Sequence, residues 1–275
     1  MATNAKAAAP AKKSGFKGVK DAWIILVICC ILAYCFYFFV LGDPSHFQGG
    51  DRAGHPADLM GTVYKGGFVV GLILTLLLTV IVLGVERFFA IRTAAGKINL
   101  AKFTAQVKDL IKAQKFDEAD ALCDKMQGSV ANVVKASIKM YQVVEKDATL
   151  KKSQKIAKIQ QAHEEATQLE MPTLTMNLPM VATIVSLGTL TALFGTVLGM
   201  ISSFQALSAG GGADSMALSA GISEALVNTA SGILTSWVAT VVYNFFSNKI
   251  DKLTFALDEV GYTIAATYDS NHTEA

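Results

Sequence analysis

The sequence has little charge, and its charged residues avoid long stretches. Asp, Glu, Lys and Arg make up 17% of the 275 residues, 52% are hydrophobic, and the mean hydropathy is +0.42. An average soluble protein has about 25% charged residues. No charged residue occurs in residues 22–42, 66–85, 171–213 or 225–248. Since a helix needs about 20 apolar residues to cross the hydrocarbon layer, these absences exclude most soluble enzymes and predict an integral membrane protein.

Cysteine and net charge are also low. Three of the four cysteines lie in the first apolar stretch and the other, Cys123, lies far away, so no disulfide framework is expected. The net charge of +2 is too small to indicate nucleic-acid binding.

Motifs for catalysis or metal binding are missing as well. No H-E-x-x-H or G-x-S-x-G pattern occurs, and the four histidines all lie outside the apolar stretches. These are His46, His55, His163 and His272. The sequence therefore predicts no catalytic residue, no metal ligand and no cofactor.

The distribution of Lys and Arg predicts the orientation in the membrane. All but Arg52 and Lys65 of the 24 basic residues lie outside the two predicted outer loops. The positive-inside rule then gives four spans with both termini in the cytoplasm. A basic segment before an apolar one also opens secretory signal peptides. Here the apolar stretch is longer than usual and no A-x-A site follows, which favours an uncleaved span.

The predicted fold class is all-α, a polytopic membrane protein with four transmembrane helices and a helical cytoplasmic domain between spans two and three. The predicted segments are a basic cytoplasmic tail (1–21), an extra N-terminal span (22–41), a periplasmic linker (42–65), a second span (66–90), the cytoplasmic helical domain (91–176), a third, pore-lining span (177–204), a periplasmic loop (205–221), a fourth, pore-lining span (222–248) and a cytoplasmic C-terminal helix (249–275).

Apolar residues at helical spacing in the polar segment predict two or three amphipathic helices. Breaks are expected near Gln114 and near 127–129. A further helix, starting around 147–150, is expected to run straight into the membrane. The domain either packs on itself as a helical collar, which the pattern favours, or docks a soluble partner.

The last two spans differ from the first two, which consist of Leu, Ile, Val and Phe and suit a lipid-facing position. Spans three and four are rich in hydroxyls, and Gly195-x-x-x-Gly199 is a motif for close helix approach. Two sets of polar residues each share a helix face: Thr189, Thr196 and Ser203 on the third span, and Glu224, Asn228, Ser231 and Thr235 on the fourth. These side chains either bond to their own helix and help packing, or line a polar path in an oligomeric pore.

Glu224 is the one ionisable residue closely attached to either span. An acid inside the membrane indicates a functional site. An acid at the start of a helix, facing water, is favoured by the helix dipole instead. Both interpretations remain open from the residues alone.

The spans contain no Asp, Glu or His near their midpoints. A proton relay through the low-dielectric layer needs such a group. If this polar wall guides protons, the titrating carboxylate must therefore belong to another chain, which predicts a partner helix.

Several motifs in these spans resemble the MotA/TolQ/ExbB proton-channel family, with the ExbB branch as the closest match. They are Leu-Phe-Gly-Thr-Val-Leu-Gly-Met at 193–200, Ser-Phe at 203–204, Gly-Ile-Ser-Glu-Ala-Leu at 221–226, Thr-Ala-Ser-Gly at 229–232, Val-Tyr-Asn at 242–244, and Val-Glu-Arg-Phe-Phe at 85–89. The resemblance covers about residues 60–265.

The resemblance implies a homopentamer in the bacterial inner membrane whose last two spans surround an ExbD-like single-span partner. That partner's Asp would carry the proton, and Thr196 and Thr229 match the pore threonines that face it. Glu224 matches an acid near the outer mouth. The complex would use the proton motive force to drive a TonB-like protein and outer-membrane transport. Besides these proteins, the expected partners are membrane lipids, and no nucleic acid is expected.

Some features depart from this pattern. The leading span has no counterpart in the usual three-span ExbB, and Val238 stands where the family has a proline. A TolQ-like or MotA-like motility stator is the alternative within the family. A non-conducting membrane scaffold is the alternative outside it.

Overall fold

The computed structural model describes residues 22–52, 54–209 and 215–272. The predicted basic tail at 1–21 and the tip of the predicted loop at 210–214 lie outside the described residues. Within the described part of the chain there is no β-strand, and Phe47 and Pro56 form an isolated β-bridge. The predicted all-α class is therefore confirmed.

Nine α-helices are present among the described residues: α1 Ala22–Phe36, α2 Leu59–Tyr64, α3 Phe68–Ala95, α4 Leu100–Lys112, α5 Phe116–Met126, α6 Ser129–Glu145, α7 Lys152–Thr175, α8 Leu178–Ala209 and α9 Ser215–Asn271. A π-helical turn, Tyr37–Leu41, continues α1, and two short 3₁₀ turns follow it. As predicted, four helices are long and apolar enough to cross a membrane, and they are those that contain α1, α3, α8 and α9.

The described residues form two compact units. The apolar unit comprises 22–86 and 177–246, and the polar unit comprises 87–176 and 247–272. Because α3 and α9 each continue from one unit into the other, the same two helices supply side chains to both cores.

The core of the apolar unit is built by α3 against α1, α8 and α9. One cluster joins Val80 and Leu83 of α3 to Ile25, Ile184 and Ala239. In α3, 44% of the most apolar window is buried, against 28% in each of the other three spans. The second span is therefore the most buried of the four, and only part of its surface is free to face lipid. Leu, Ile and Val suit a protein core as well as lipid, so their presence alone does not distinguish the two.

The extra N-terminal helix packs on α3 through aromatic side chains. The ring of Tyr34 lies on Gly71, where a Cβ atom would be 2.6 Å from its Cε1 atom. The hydroxyl of Tyr37 donates to the carbonyl of Tyr64 over 2.9 Å, and the two rings stack with centroids 4.8 Å apart. These contacts fix the end of α1 beside the turn that leads into α3.

The polar unit contains α4 to α7 and the C-terminal part of α9. Tyr141 of α6 is fully buried, and its ring contacts Phe116 and Tyr268. The predicted breaks near Gln114 and 127–129 are confirmed, since α4, α5 and α6 are separated at 113–115 and 127–128. At both breaks the backbone enters the left-handed region, with φ of 58° at Gln114 and 88° at Gly128.

The expected uninterrupted helix into the third span is wrong. Helix α7 ends at Thr175, α8 begins at Leu178, and Asn177 between them has a φ of 63°. In a continuous helix Pro179 could not donate to the carbonyl of Thr175, four residues earlier, and its ring would clash with that carbonyl, which promotes a break between the two. Asn is among the residues that tolerate the left-handed conformation best.

His163 is buried in the polar unit between α6 and α9. Its Nδ1 atom lies 2.9 Å from Oγ of Ser137, and that hydroxyl donates to the carbonyl of Val133. Because a hydroxyl has one proton to donate, Nδ1 donates to Ser137 when that proton goes to Val133, and accepts from Ser137 when the hydroxyl turns to the ring. The Nε2 atom is buried with no hydrogen-bond partner among the described residues, and it faces Gly261, where a Cβ atom would lie 2.5 Å away. Desolvation by this burial lowers the pKa of His163, against a smaller opposing effect of Asp258 and Glu164.

We expect this histidine to make the protein less stable in acid. The unfolded chain takes up a proton near pH 6.5, while the folded state resists it until its lower pKa is reached. The contribution of neutral His163 is therefore complete above about pH 6.5 and is lost as the pH falls below it. Thermal unfolding of the detergent-solubilised chain, measured from about pH 7.5 to about pH 5.5, should show a smaller pH dependence in His163→Leu. His55→Leu, at an exposed site, is the control; equal slopes in wild type and His163→Leu would contradict the assignment.

Candidate functional site

Helices α8 and α9 approach each other closely because glycines line their contact. A Cβ atom at Gly188 would lie 2.6 Å from Oγ of Ser236, and one at Gly232 would lie 2.2 Å from Cβ of Ala192. A Cβ atom at Gly199 would lie 2.8 Å from the carbonyl oxygen of Gly221. The close approach predicted for the Gly195-x-x-x-Gly199 segment is therefore confirmed.

The structure brings Thr196 of α8 and Thr229 of α9 together. Their hydroxyl oxygens are 2.6 Å apart, and both residues are half-buried. Each hydroxyl is also within reach of the carbonyl four residues earlier, Ala192 for Thr196 at 3.0 Å and Ala225 for Thr229 at 3.0 Å. The carbonyl of Ala225 lies 3.4 Å from the hydroxyl of Thr196 as well.

This pair has two possible hydrogen-bond directions. Each hydroxyl can donate one proton and can accept others. Either Thr196 donates to Thr229, which donates to the carbonyl of Ala225, or Thr229 donates to Thr196, which donates to that of Ala192. Rotation of the two hydroxyls exchanges the directions without moving either helix. A group of this kind can accept a hydrogen bond from one side and donate one to the other.

The other hydroxyls on these helices mostly bond to their own backbone. Six donate to the carbonyl four residues earlier: Thr183, Ser203, Thr235, Thr240, Thr254 and Thr263. Thr189 instead lies 2.9 Å from Oγ of Ser236. The predicted face of Thr189, Thr196 and Ser203 therefore lies along the contact with α9, and most hydroxyls outside the threonine pair and the Thr189–Ser236 contact serve local packing.

Glu224 is half-buried against the turn between α2 and α3. Its Oε1 atom would be 2.4 Å from a Cβ atom at Gly67, whose φ of 74° also favours glycine. Tyr37 of the π-helical turn lies within electrostatic range of the carboxyl group. Helix α9 begins at Ser215, more than two helical turns before Glu224. Because the helix dipole acts within the first turn, the structure does not favour the interpretation of Glu224 as an N-terminal helix acid.

The structure adds two details that the sequence pattern did not show. Asn228 is fully buried beside Gly195, where a Cβ atom would meet its Nδ2 atom at 2.9 Å. On α3, Thr75 and Thr79 are buried and donate to carbonyls of their own helix. The sequence placed Asn228 on the polar face of the fourth span, and only the structure shows that it is buried against Gly195.

Nothing in the described part of the chain is arranged to hold a metal ion. No group of three or more His, Cys, Asp and Glu side chains comes together among the described residues. Helix α8 has no charged residue. The site is therefore a contact of uncharged polar groups between two membrane helices, with one carboxyl group toward one end.

Residues 126–259 match the model of the MotA/TolQ/ExbB proton channel family. The chain is 38% identical over 84 residues to a putative biopolymer transport protein, ExbB-like 3, of Synechocystis sp., which covers 30% of this chain and 40% of that protein. It is 34% identical over 88 residues to the Tol-Pal system protein TolQ of Haemophilus influenzae, covering 32% and 39% of the two chains. It is 36% identical over 88 residues to TolQ of Pseudomonas aeruginosa, covering 32% and 38%.

These matches cover only part of each protein. The chain spans about two fifths of the length of the relatives it matches. The matched family is one of membrane channels and not of enzymes. Together with the four apolar helices, the matches support a multi-pass protein of the bacterial inner membrane. Since ExbB-like and TolQ proteins both match, the expected preference for the ExbB branch stays a prediction.

Proposed function

Because the chain belongs to the MotA/TolQ/ExbB proton channel family, we propose that it is the proton-channel stator subunit of an inner-membrane motor. Thr196 and Thr229 are its pore residues, and Glu224 lies at the outer end of the path. The observation that carries the proposal is the 2.6 Å contact between the two threonine hydroxyls. It places a reorientable pair of donors and acceptors inside two otherwise apolar helices.

The proton carrier in this proposal belongs to another chain. A relay needs a group that gains and loses a proton within the membrane. Helix α8 has no ionisable side chain, and α9 has none between Glu224 and Lys249 apart from Tyr243. The resemblance to ExbB supports a homopentamer around an ExbD-like single-span partner, whose Asp titrates opposite Thr196 and Thr229.

The client of the motor in this proposal is a TonB-like protein, and the proton motive force thereby energises outer-membrane transport. The match to an ExbB-like protein supports this choice. The matches to TolQ support the alternative that the same pore serves cell-envelope maintenance. Both termini lie in the cytoplasm in either case, because all but two of the 24 Lys and Arg residues lie outside the two proposed outer loops.

Deletion of the gene in its own host separates these clients. A TonB-linked stator predicts loss of high-affinity, TonB-dependent uptake, with normal detergent resistance and normal swimming. Restoration by the wild-type chain and failure of restoration by Glu224→Ala, at equal membrane abundance, would support the coupling role. Detergent sensitivity with intact uptake would assign the chain to envelope maintenance, and loss of swimming alone would assign it to motility. No defect in any of the three would favour a scaffold.

A further inference from the structure

Asn228 presents an unpaired carboxamide inside the apolar unit. The residue is fully buried, and neither its Nδ2 nor its Oδ1 atom has a hydrogen-bond partner among the described residues. Burying an amide without partners in an apolar environment is unfavourable. A polar partner that the side chain meets in some state of the protein would offset this cost.

The partner must come from this chain's own interior. Val227, one residue before, packs near Gly66 and Val70 of α3, and Ala225 and Gly232 pack against α8. The 100° step of the helix places Asn228 between these two contact directions. A neighbouring subunit or a partner helix on the outer surface of the unit therefore does not reach the carboxamide.

Glu224 is the ionisable residue nearest along this face. It precedes Asn228 by four residues, and side chains at this spacing are neighbours on a helix, with Cβ atoms about 6 Å apart. In the structure its carboxyl group lies against Gly67, toward the start of α3. Rotation about the bonds of the glutamate side chain would turn the carboxyl group from Gly67 toward the carboxamide.

We propose that Asn228 is a positioning residue for proton uptake, as the inner receptor of the Glu224 carboxyl group in its protonated form. A protonated carboxyl group donates through its O–H and accepts through its C=O, whereas an ionised one only accepts. The carboxamide likewise donates through Nδ2 and accepts through Oδ1. The protonated acid satisfies both atoms of Asn228 at once, and the carboxylate leaves Oδ1 unpaired.

The groups around Glu224 are compatible with a switch that depends on protonation. Tyr37, at the end of α1, lies within electrostatic range of the carboxyl group, and its own hydroxyl donates to the carbonyl of Tyr64. From the linker, Lys65 lies over the ring of Phe47 and Asp58 pairs with His46. The membrane part of α3 up to Val85 and all of α8 have no charged side chain. The ionised carboxyl group would meet no opposite charge in the interior of these helices and stays at Gly67, and binding of a proton allows it to turn inward.

The role in proton uptake rests on the proposed function. The contact between Asn228 and protonated Glu224 can be tested without proton conduction. Infrared difference spectra of the purified chain between neutral and acidic pH report the carbonyl stretch of protonated carboxyl groups. The band of Glu224 is identified by its absence in Glu224→Gln. We expect this band at the frequency of a strongly hydrogen-bonded acid in wild type, and at a higher frequency in Asn228→Leu, which has a similar size and no amide. The exposed Asn248→Leu is the matched control and should leave the band unchanged.

The smaller Asn228→Ala keeps the test decisive if the leucine variant fails to fold. An unshifted Glu224 band in a folded Asn228 variant, or no protonated Glu224 band in wild type, would overturn the inference. Proton flux in liposomes with the co-purifying single-span protein should also fall about fivefold in Asn228→Ala, the effect of losing one hydrogen bond. If the infrared shift occurs and wild type shows no flux, the receptor role stands and the proposed channel function fails.

Discussion

Replacement of both Thr196 and Thr229 by valine is expected to lower proton flux by about ten- to a hundredfold while the protein still folds and assembles. Valine has the shape of threonine without the hydroxyl, so the double variant removes the contact of 2.6 Å between the two oxygens. Loss of a hydrogen bond in a buried polar site costs about 1–3 kcal/mol, and about 1.4 kcal/mol is a factor of ten. The proton path would then lack the two hydroxyl groups that can reverse the direction of their hydrogen bond.

The measurement is pH-gradient-driven flux into liposomes that contain this chain and its single-span partner. Each single variant should lose part of the flux, because the remaining hydroxyl keeps one hydrogen-bond direction. Thr240→Val is the matched control, since Thr240 lies on α9 like Thr229 and is exposed. Its hydroxyl donates to the carbonyl of Ser236 in its own helix. Flux in the double variant equal to that of Thr240→Val would show that the threonine pair is a packing contact.

Gly232→Ala is expected to destabilise the apolar unit by about 1–3 kcal/mol, the usual cost of an extra methyl group in a packed core. The added Cβ atom would lie 2.2 Å from Cβ of Ala192 and 2.6 Å from the carbonyl oxygen of Gly188. The substitution destabilises even though alanine is the better helix former by about 1 kcal/mol, because α8 and α9 would have to separate. Thermal unfolding in detergent measures the effect.

Gly84→Ala provides the control for this prediction. Its Cβ atom would lie 3.4 Å from Cγ1 of Val242, an ordinary contact, so the variant should be neutral or slightly more stable. Adding Ala192→Gly to Gly232→Ala should restore part of the stability, since it removes one of the two clashing atoms. A Gly232→Ala variant as stable as Gly84→Ala would contradict the close approach of the two helices.

The sequence could predict the number of membrane helices because charged side chains are excluded from the hydrocarbon layer, which leaves long uncharged stretches in the sequence. It could also predict that α8 and α9 pack closely, since glycines four residues apart lack side chains and let two helix backbones approach. It could not predict that Thr196 meets Thr229, because the rotation of one helix against the other depends on all of their contacts together. The resemblance placed both threonines in the pore, and only the structure shows the contact between their hydroxyl groups.

Other features depend on three-dimensional packing in the same way. The burial of α3 was not predictable, because the residues that suit lipid also suit a protein core. The break at Asn177 depends on a single left-handed residue two positions before a proline, and the helical pattern on both sides does not reveal it. The burial of the Asn228 carboxamide depends on its contact with Gly195 of α8, which lies 33 positions away in the sequence.

The central claim is that this chain forms a proton path whose titrating group belongs to another protein. Proton flux in liposomes that contain the purified chain, alone and with the single-span protein that co-purifies with it, tests this claim most directly. We predict flux only when both proteins are present, and its loss when the partner's intramembrane Asp is replaced by Asn. Full flux from this chain alone, or undiminished flux with the Asn variant of the partner, would contradict the claim.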